Sequence, residues 1–542
     1  MSPMTVETSL PGAPAIGRWS SLLLLFLTVL GLYGRTLFFD FTYLDERSLV
    51  LDRQAYLAQP STLWKAFGDP YLKGSPYYRP VITASFALDA LWSGVKPFGY
   101  HLSNLLIHLA ACLLVLAVLR GLCCGEGPSL LGALVFAVHP AAVEGATWIP
   151  GRNDMLFAVF ALGAWLALIK EQERSSRIRR SLHLACFLGA LFSKEAAVCL
   201  PLLFLAQLRL GGEGTRTVWR PWAWLGWGCS VALFAAVRVG VMGATSGFLA
   251  DGVLTAFRRL PMLVAGLGKL FVPLYYEVIA TPSDVRLWTG FVAAAVILAA
   301  FAALGGGRRG RILLLALAAM LLPMAANLPG ADKLVLESRL YPSVAGAALF
   351  LAEWLRPVRL ARPAAVALAA AAVLALAARS FLYQGDFANV AVFTEAAVRQ
   401  SPHSALAHLQ RGLFLEYARQ DPAAGRAAYR RALEANPAEP MAHNNLGFSL
   451  MNAGQWAEAE GHFRSELALN PVNAKARYNL GVTLFALNRR EEAQAEWLRL
   501  LRQEPDDLAA MAALVRSYSS AGRPELADRW RRELERRGIR LE

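Results

Sequence analysis

The sequence predicts an all-α protein in two parts, a multi-spanning helical membrane domain followed by a helical solenoid. Three observations predict it. Hydrophobic residues make up 56% of the 542 and charged residues only 17%, a balance foreign to soluble enzymes. The mean hydropathy of +0.38 averages two unlike halves: long apolar runs recur up to about residue 381, and the remainder is charged and Ala-rich. That remainder also repeats itself every 34 residues. The expected domains are 1–381 for the membrane part, 382–402 for a connecting helix and 403–542 for the repeats.

The first apolar run, 21–39, lacks a small-residue cleavage site and is followed by many others, so a retained anchor is expected rather than a signal peptide. Further runs of spanning character lie at 102–119, 129–147, 154–169, 182–193, 196–210, 222–242, 288–304, 311–327, 341–355 and 363–381. The stretch 258–278 holds Pro261, Lys269 and Pro273 and suits an interfacial or re-entrant helix better than a crossing. About eleven spans result.

The formal net charge of +14 is concentrated in short loops near 120, 170–180, 211–220, 305–311 and 356–363. Such loops face the cytoplasm in membrane proteins, so nucleic-acid binding is the weaker reading. With these loops inside, the N-terminus is cytoplasmic and the C-terminal half lies outside. The six cysteines sit in the apolar half without metal-ligand spacing, and no disulfide framework is implied.

In the second half, Tyr429, Phe463 and Trp497 are 34 residues apart, as are Pro437, Pro471 and Pro505. Ala459, Ala493 and Ala527 keep the same step, and "NNLGFSL" at 444–450 is echoed by "YNLGVTL" at 478–484. This is the tetratricopeptide pattern: small residues let paired helices approach, an aromatic plugs their crossing and Pro ends the unit. Residues 403–539 hold about four units. Such a solenoid is a spacer or, more commonly, a protein-binding surface.

On the predicted outer side the ionisable residues gather near span ends. The first outer loop, about 40–100, carries the adjacent pair Asp45-Glu46 and Arg79. The second holds His139, Glu144, Arg152 and Asp154; a turn within apolar sequence holds Lys194-Glu195; a late loop holds Glu337 and Arg339. Each has a plain reading beside the functional one: His139-Pro140 as a helix break, Lys194-Glu195 as a self-neutralising turn, Arg152 and Asp154 as a local salt bridge. Their clustering on one face is the stronger signal, because ionisable groups at membrane depth usually mark a site. Carboxylates and cations beside lipid suit transfer of a group from a lipid-phosphate donor. A carboxylate takes the proton of an attacking hydroxyl and cations stabilise the departing phosphate. Two neighbouring carboxylates raise one another's pKa, which separates a base from its support.

An anchor followed by an acidic pair in a long first outer loop resembles the GT-C superfamily of glycosyltransferases. More closely, "FDFTYLDERSLVLD", "YYRPVITASFALDALW", "VFAVHPAAVEGATWIPGRNDMLF", "FSKEAAVCLPLLF" and "ESRLYPSVAGAALFLAE", followed by the repeats, resemble the transmembrane and tetratricopeptide-repeat-containing O-mannosyltransferases and their bacterial relatives. The resemblance implies a GT-C-like membrane domain that moves a sugar from a polyprenyl-phosphate carrier to a hydroxyl of a protein or glycan. It maps the family's acidic pair onto Asp45, the implied base, and Glu46, where the family often has a second aspartate. Glu337 and Arg339 match its Glu-Arg-x-x-Tyr pattern with Tyr341 displaced by one. The expected activity is thus an inverting glycosyltransferase in a bacterial cytoplasmic membrane, with active site and repeats periplasmic. Donor-phosphate or acceptor contacts are expected from Arg79, His139, Glu144, Arg152, Asp154, Lys194, Glu195, Glu337 and Arg339. The lipid-linked sugar is the donor, no obligatory metal is expected, and the repeats take a protein partner. The rivals are a non-catalytic membrane scaffold for the repeats and a lipid-linked glycan ligase or polymerase. The scaffold leaves the outer-face charges unexplained, and ligases concentrate function in a late loop, whereas here the longest loop is the first.

Overall fold

The computed structural model describes residues 17–72, 75, 77–122, 124–210, 220–243, 253–304, 306–327, 337–356 and 363–539. The expected basic loops at 211–219 and 357–362 and the residue Cys123 lie outside the described residues. All described elements are helical, and the chain divides into two compact units, Met1–Ala396 and Ala397–Glu542.

In the first unit, six helices among the described residues are long and apolar enough to cross a bilayer: Trp19–Phe38, Pro97–Gly121, Ile149–Glu173, Pro221–Met242, Gly307–Ala326 and Pro363–Phe387. A seventh arises if Glu126–Val138 and Pro140–Thr147, bent by 56°, count as one span. The protein is a multi-pass membrane protein, but fewer helices reach spanning length than the eleven runs suggested. The reason is visible at 182–210. Lys194 is extended (φ −158, ψ 136), so the run becomes Arg177–Ser193, a 3-10 turn at Glu195–Cys199, and Leu200–Leu210. Tyr341–Leu355 has 15 residues, about 22 Å, against a hydrocarbon core of about 30 Å.

Proline sets several helix starts, at Pro80, Pro97, Pro140 and Pro221, where its missing N–H leaves no bond unmade. Helices approach closely through small residues: a Cβ at Gly346 would strike the backbone of Met320 and Ala316. The helix Pro363–Gly385 presents Leu368, Leu374 and Leu382 outward, an apolar surface of the kind that faces lipid tails. The expected connecting helix at 382–402 is divided, its first residues completing Pro363–Gly385 and the rest forming Val390–Gln400.

The second unit stacks four helix pairs, from Ala405–Leu413 with Pro422–Ala435 to Leu508–Ser520 with Pro524–Arg536. Tyr429, Phe463 and Trp497 are buried, each ring closing over a glycine of the preceding helix: Gly412, Gly447 and Gly481. The period reaches the backbone as well. Gln420, Gly454, Asn488 and Gly522, spaced 34 apart, all take positive φ (57°, 74°, 63° and 67°) at the turn inside each pair. Asp421, Asn473 and Asp507 cap the helices that follow them.

Candidate active site

The sequence places charged residues side by side; the fold separates them. After Phe38 the chain leaves its first helix and bends, so that Asp45 and Glu46 face different surroundings. Glu46 is 1% exposed, and its two carboxylate oxygens accept from Thr42 Oγ1 at 2.9 Å each. Burial pushes its pKa up to about 7, with Asp45 adding to the rise and Thr42 opposing it. Asp45 is open to solvent but ringed by protein. Burial raises its pKa too, while the guanidinium of Arg79 acts on it in the opposite direction. Asp45 is thus the carboxylate a substrate can reach, and Glu46 the one locked beneath it.

Arg79 precedes Pro80, which biases it away from helix (φ −136) and turns its side chain off the start of Pro80–Ser93. Its Nε donates to Glu195 Oε2 at 3.1 Å, its Nη2 lies 3.1 Å from the same oxygen as an ion pair, and its guanidinium lies 4.3 Å from the centre of the Tyr77 ring. Glu195 Oε1 meanwhile accepts from the Tyr78 N–H at 3.1 Å. Burial pulls the Arg79 pKa down, but Glu195, Tyr71 and Tyr77 together raise it above the ordinary value.

Lys194 and Glu195 are not a self-neutralising pair. The extended residue at the helix break sends Lys194 to Asp154 Oδ1, 2.5 Å away, and Glu195 to Arg79. Burial lowers the Lys194 pKa to about 8; Asp154 resists that shift, while Arg79 and Arg339 reinforce it. Arg339, half-buried on the 3-10 turn Glu337–Leu340, is held down by burial and senses Asp154, Tyr77, Arg79 and Glu144. Three cations from three distant parts of the chain therefore sense one another, with Asp154 beside Lys194 and Arg339, and Asp45 and Glu195 beside Arg79. Such convergence of positive charge is what a phosphate needs.

Behind them the turn that carries Arg339 is pinned at its first residue. The Glu337 N–H donates to Glu144 Oε2 at 2.7 Å, and the Glu337 carboxylate is ion-paired with Lys269, which also meets Glu277 Oε2 at 2.7 Å. Glu144 further lines a small recess with Leu44, Trp148, Val278, Ile279, Phe387 and Phe393, next in sequence to Asp45. Lys269 and Glu277 were not singled out as site residues from sequence. Their signal was the two charges inside the apolar stretch 260–278, and what they do depends on each other and on Glu337, 60 or more residues away.

Two expected ligand-binding residues are committed elsewhere. Arg152, fully buried, forms an ion pair with Asp89 (2.6 Å), donates to Asn104 Oδ1 (2.7 Å) and to the Tyr100 carbonyl (2.8 Å), and lies 4.7 Å from the centre of the Phe86 ring. These contacts leave its guanidinium no face for a phosphate; it ties two long helices together. Nor is it the local partner of Asp154. His139 accepts the Ala141 N–H at Nδ1 (3.1 Å) and lies 3.1 Å from the Leu270 carbonyl through Nε2, the neutral tautomer implied by those bonds. It caps the start of Pro140–Thr147, which is the helix-break reading.

Comparison with known proteins bears on the repeats and on the family resemblance. Two family models, both described as tetratricopeptide repeat, match residues 450–518 and, for the other, 375–440 and 415–474. The chain is 33% identical over 171 residues to protein O-mannosyl-transferase TMTC3 of Mus musculus, covering 30% of this chain and 18% of that protein. It is 32% identical over 180 residues to protein O-mannosyl-transferase Tmtc1 of Drosophila melanogaster, covering 32% and 21%. The matched stretch thus takes in about a fifth of each relative, as the 18% and 21% show. Among solved structures, the crystal structure of MamA is 18% identical over 27% of this chain and 86% of that one, with a TM-score of 0.26. The resemblance to the tetratricopeptide-bearing O-mannosyltransferases is borne out by these relatives.

Proposed function

We propose that the protein is a membrane O-glycosyltransferase, of the O-mannosyltransferase kind its relatives are named for, that uses a polyprenyl-phosphate sugar. The observation that carries this reading is a solvent-open carboxylate, Asp45, beside Arg79, which in turn shares its surroundings with Lys194 and Arg339. Asp45 accepts the proton of the acceptor hydroxyl as its oxygen attacks the anomeric carbon. The bond from that carbon to the phosphate oxygen breaks on the opposite face, so configuration inverts and the lipid phosphate leaves with the electron pair. The three cations hold that phosphate, and their mutual repulsion is relieved as its negative charge arrives. Glu46, held by Thr42, lies beneath Asp45, whose own burial holds its basicity up. The site and the repeats lie on the outer side of the membrane, where the repeats bring a protein acceptor close and raise its local concentration.

The test uses full-length protein in proteoliposomes with polyprenyl-phosphate mannose and an acceptor protein, read by mass spectrometry. Asp45→Asn lowers transfer by about 100- to 10,000-fold with unchanged insertion and thermal midpoint. Undiminished transfer by that variant would falsify the assignment of the base. Turnover of no lipid-linked sugar by the wild type, against repeats that still bind protein, would instead favour the scaffold.

A further inference from the structure

The helix Arg152–Glu173 begins beside the candidate site and ends about 33 Å away. Around that far end stand six cations, Lys170, Arg174, Arg177, Arg179, Arg180 and Arg220, against two carboxylates, Glu171 and Glu173. The carboxylates are already used. Glu171, buried, takes Arg180 at 3.1 Å and is in direct contact with Arg220; Glu173 takes Lys170 at 2.7 Å. Arg179 donates through Nη1 to the carbonyls of Lys170 and Arg174, which leaves its charge uncancelled. Arg174 and Arg177 are exposed and have no side-chain partner among the described residues. Among the described residues, Arg174, Arg177 and Arg179 are the three of these six cations with no carboxylate partner.

Apolar surface adjoins them. Ile178 is 79% and Leu182 53% exposed, four residues apart on one helix face. The neighbouring helix Pro221–Met242 adds Leu225, 68% exposed, and Trp222, whose ring lies 5.3 Å from the Arg180 guanidinium. Water favours the charges and disfavours the apolar face. A phospholipid satisfies both, phosphate against arginine and acyl chain against Ile178 and Leu182.

We propose that this end of the helix pair is a binding site for an anionic phospholipid, held by Arg174, Arg177 and Arg179. The site is separate from the proposed chemistry and does not depend on it. Full-length protein in phosphatidylcholine nanodiscs, with and without about 30% phosphatidylglycerol, tests it. After detergent release, native mass spectrometry counts retained lipid. The wild type retains phosphatidylglycerol in preference to phosphatidylcholine, and unfolds at a higher temperature in discs that contain it. Arg174→Gln and Arg177→Gln each weaken retention about fivefold, and added salt does the same. The double variant keeps its midpoint in pure phosphatidylcholine, because neither side chain supports the fold. Equal retention by wild type and double variant would overturn the proposal. So would full displacement of the lipid by inorganic phosphate at comparable concentration, which would mark a plain phosphate site.

Discussion

The two units bury different things. In the repeat unit the interior is a periodic apolar stack, Tyr429, Phe463 and Trp497 over their glycines, and most ion pairs lie at the surface. In the membrane unit the interior carries charge: Arg152 with Asp89, Lys194 with Asp154, Lys269 with Glu277 and Glu337. The difference follows from the solvent. Water rewards a chain for hiding apolar groups, whereas lipid is itself apolar and leaves only internal partners for polar groups. A buried pair in such a unit specifies which helices meet, and losing one partner exposes the other to a medium that cannot solvate it.

That contrast can be broken by substitution. The largest expected effect is Arg152→Met, which leaves Asp89 buried and unpaired and should destabilise the membrane unit by about 3–5 kcal/mol; adding Asp89→Asn should recover much of it. Thermal unfolding in detergent measures both, and a lone Arg152→Met with unchanged stability would show the pair to be incidental. Next, Trp497→Ala should cost the repeat unit about 3–4 kcal/mol, read by hydrogen exchange as loss of protection in Ala474–Gln503 and its neighbours with the membrane unit unaffected.

A pH experiment sharpens the comparison further. The folded pKa of Glu46 is raised from 4.5 to about 7, so ionising it is harder in the folded state than in the unfolded one. Below 4.5 the group is neutral in both states and contributes nothing; as pH rises to about 7 it removes stability, by up to about 3 kcal/mol. Glu46→Gln should therefore gain on the wild type across that window, and a pH-independent difference between the two would refute the burial argument. The raised Asp45 pKa works the same way on rate. Transfer should climb with pH through an inflection above the usual aspartate value, as the base is freed of its proton. The smallest effect belongs to the repeats. Gln420 holds a left-handed turn that glycine fills at 454 and 522, so Gln420→Gly should stabilise by up to about 1 kcal/mol in a denaturant titration.

What could be read from sequence differs between the units for the same reason. The repeat is legible because its packing is local: a residue's partners lie within one or two helices, and a 34-residue period states them directly. The membrane unit announces its helices by apolar runs and its site by charge clustering, so Asp45, Arg79, Lys194, Glu195, Asp154 and Arg339 could be named. Adjacency could not say that Asp45 is open and Glu46 closed, or that Lys194 and Glu195 turn to separate partners. Nor could it show that Arg152 belongs to Asp89, 63 positions earlier by sequence number. Run length did not give the helix bounds either, because an apolar stretch records what is buried without recording where the backbone breaks. Composition and periodicity determined by themselves that this is a helical membrane protein bearing tetratricopeptide repeats. Which charges meet was decided only by tertiary structure, since in a low-dielectric interior a charge takes its meaning from the partner the fold brings to it.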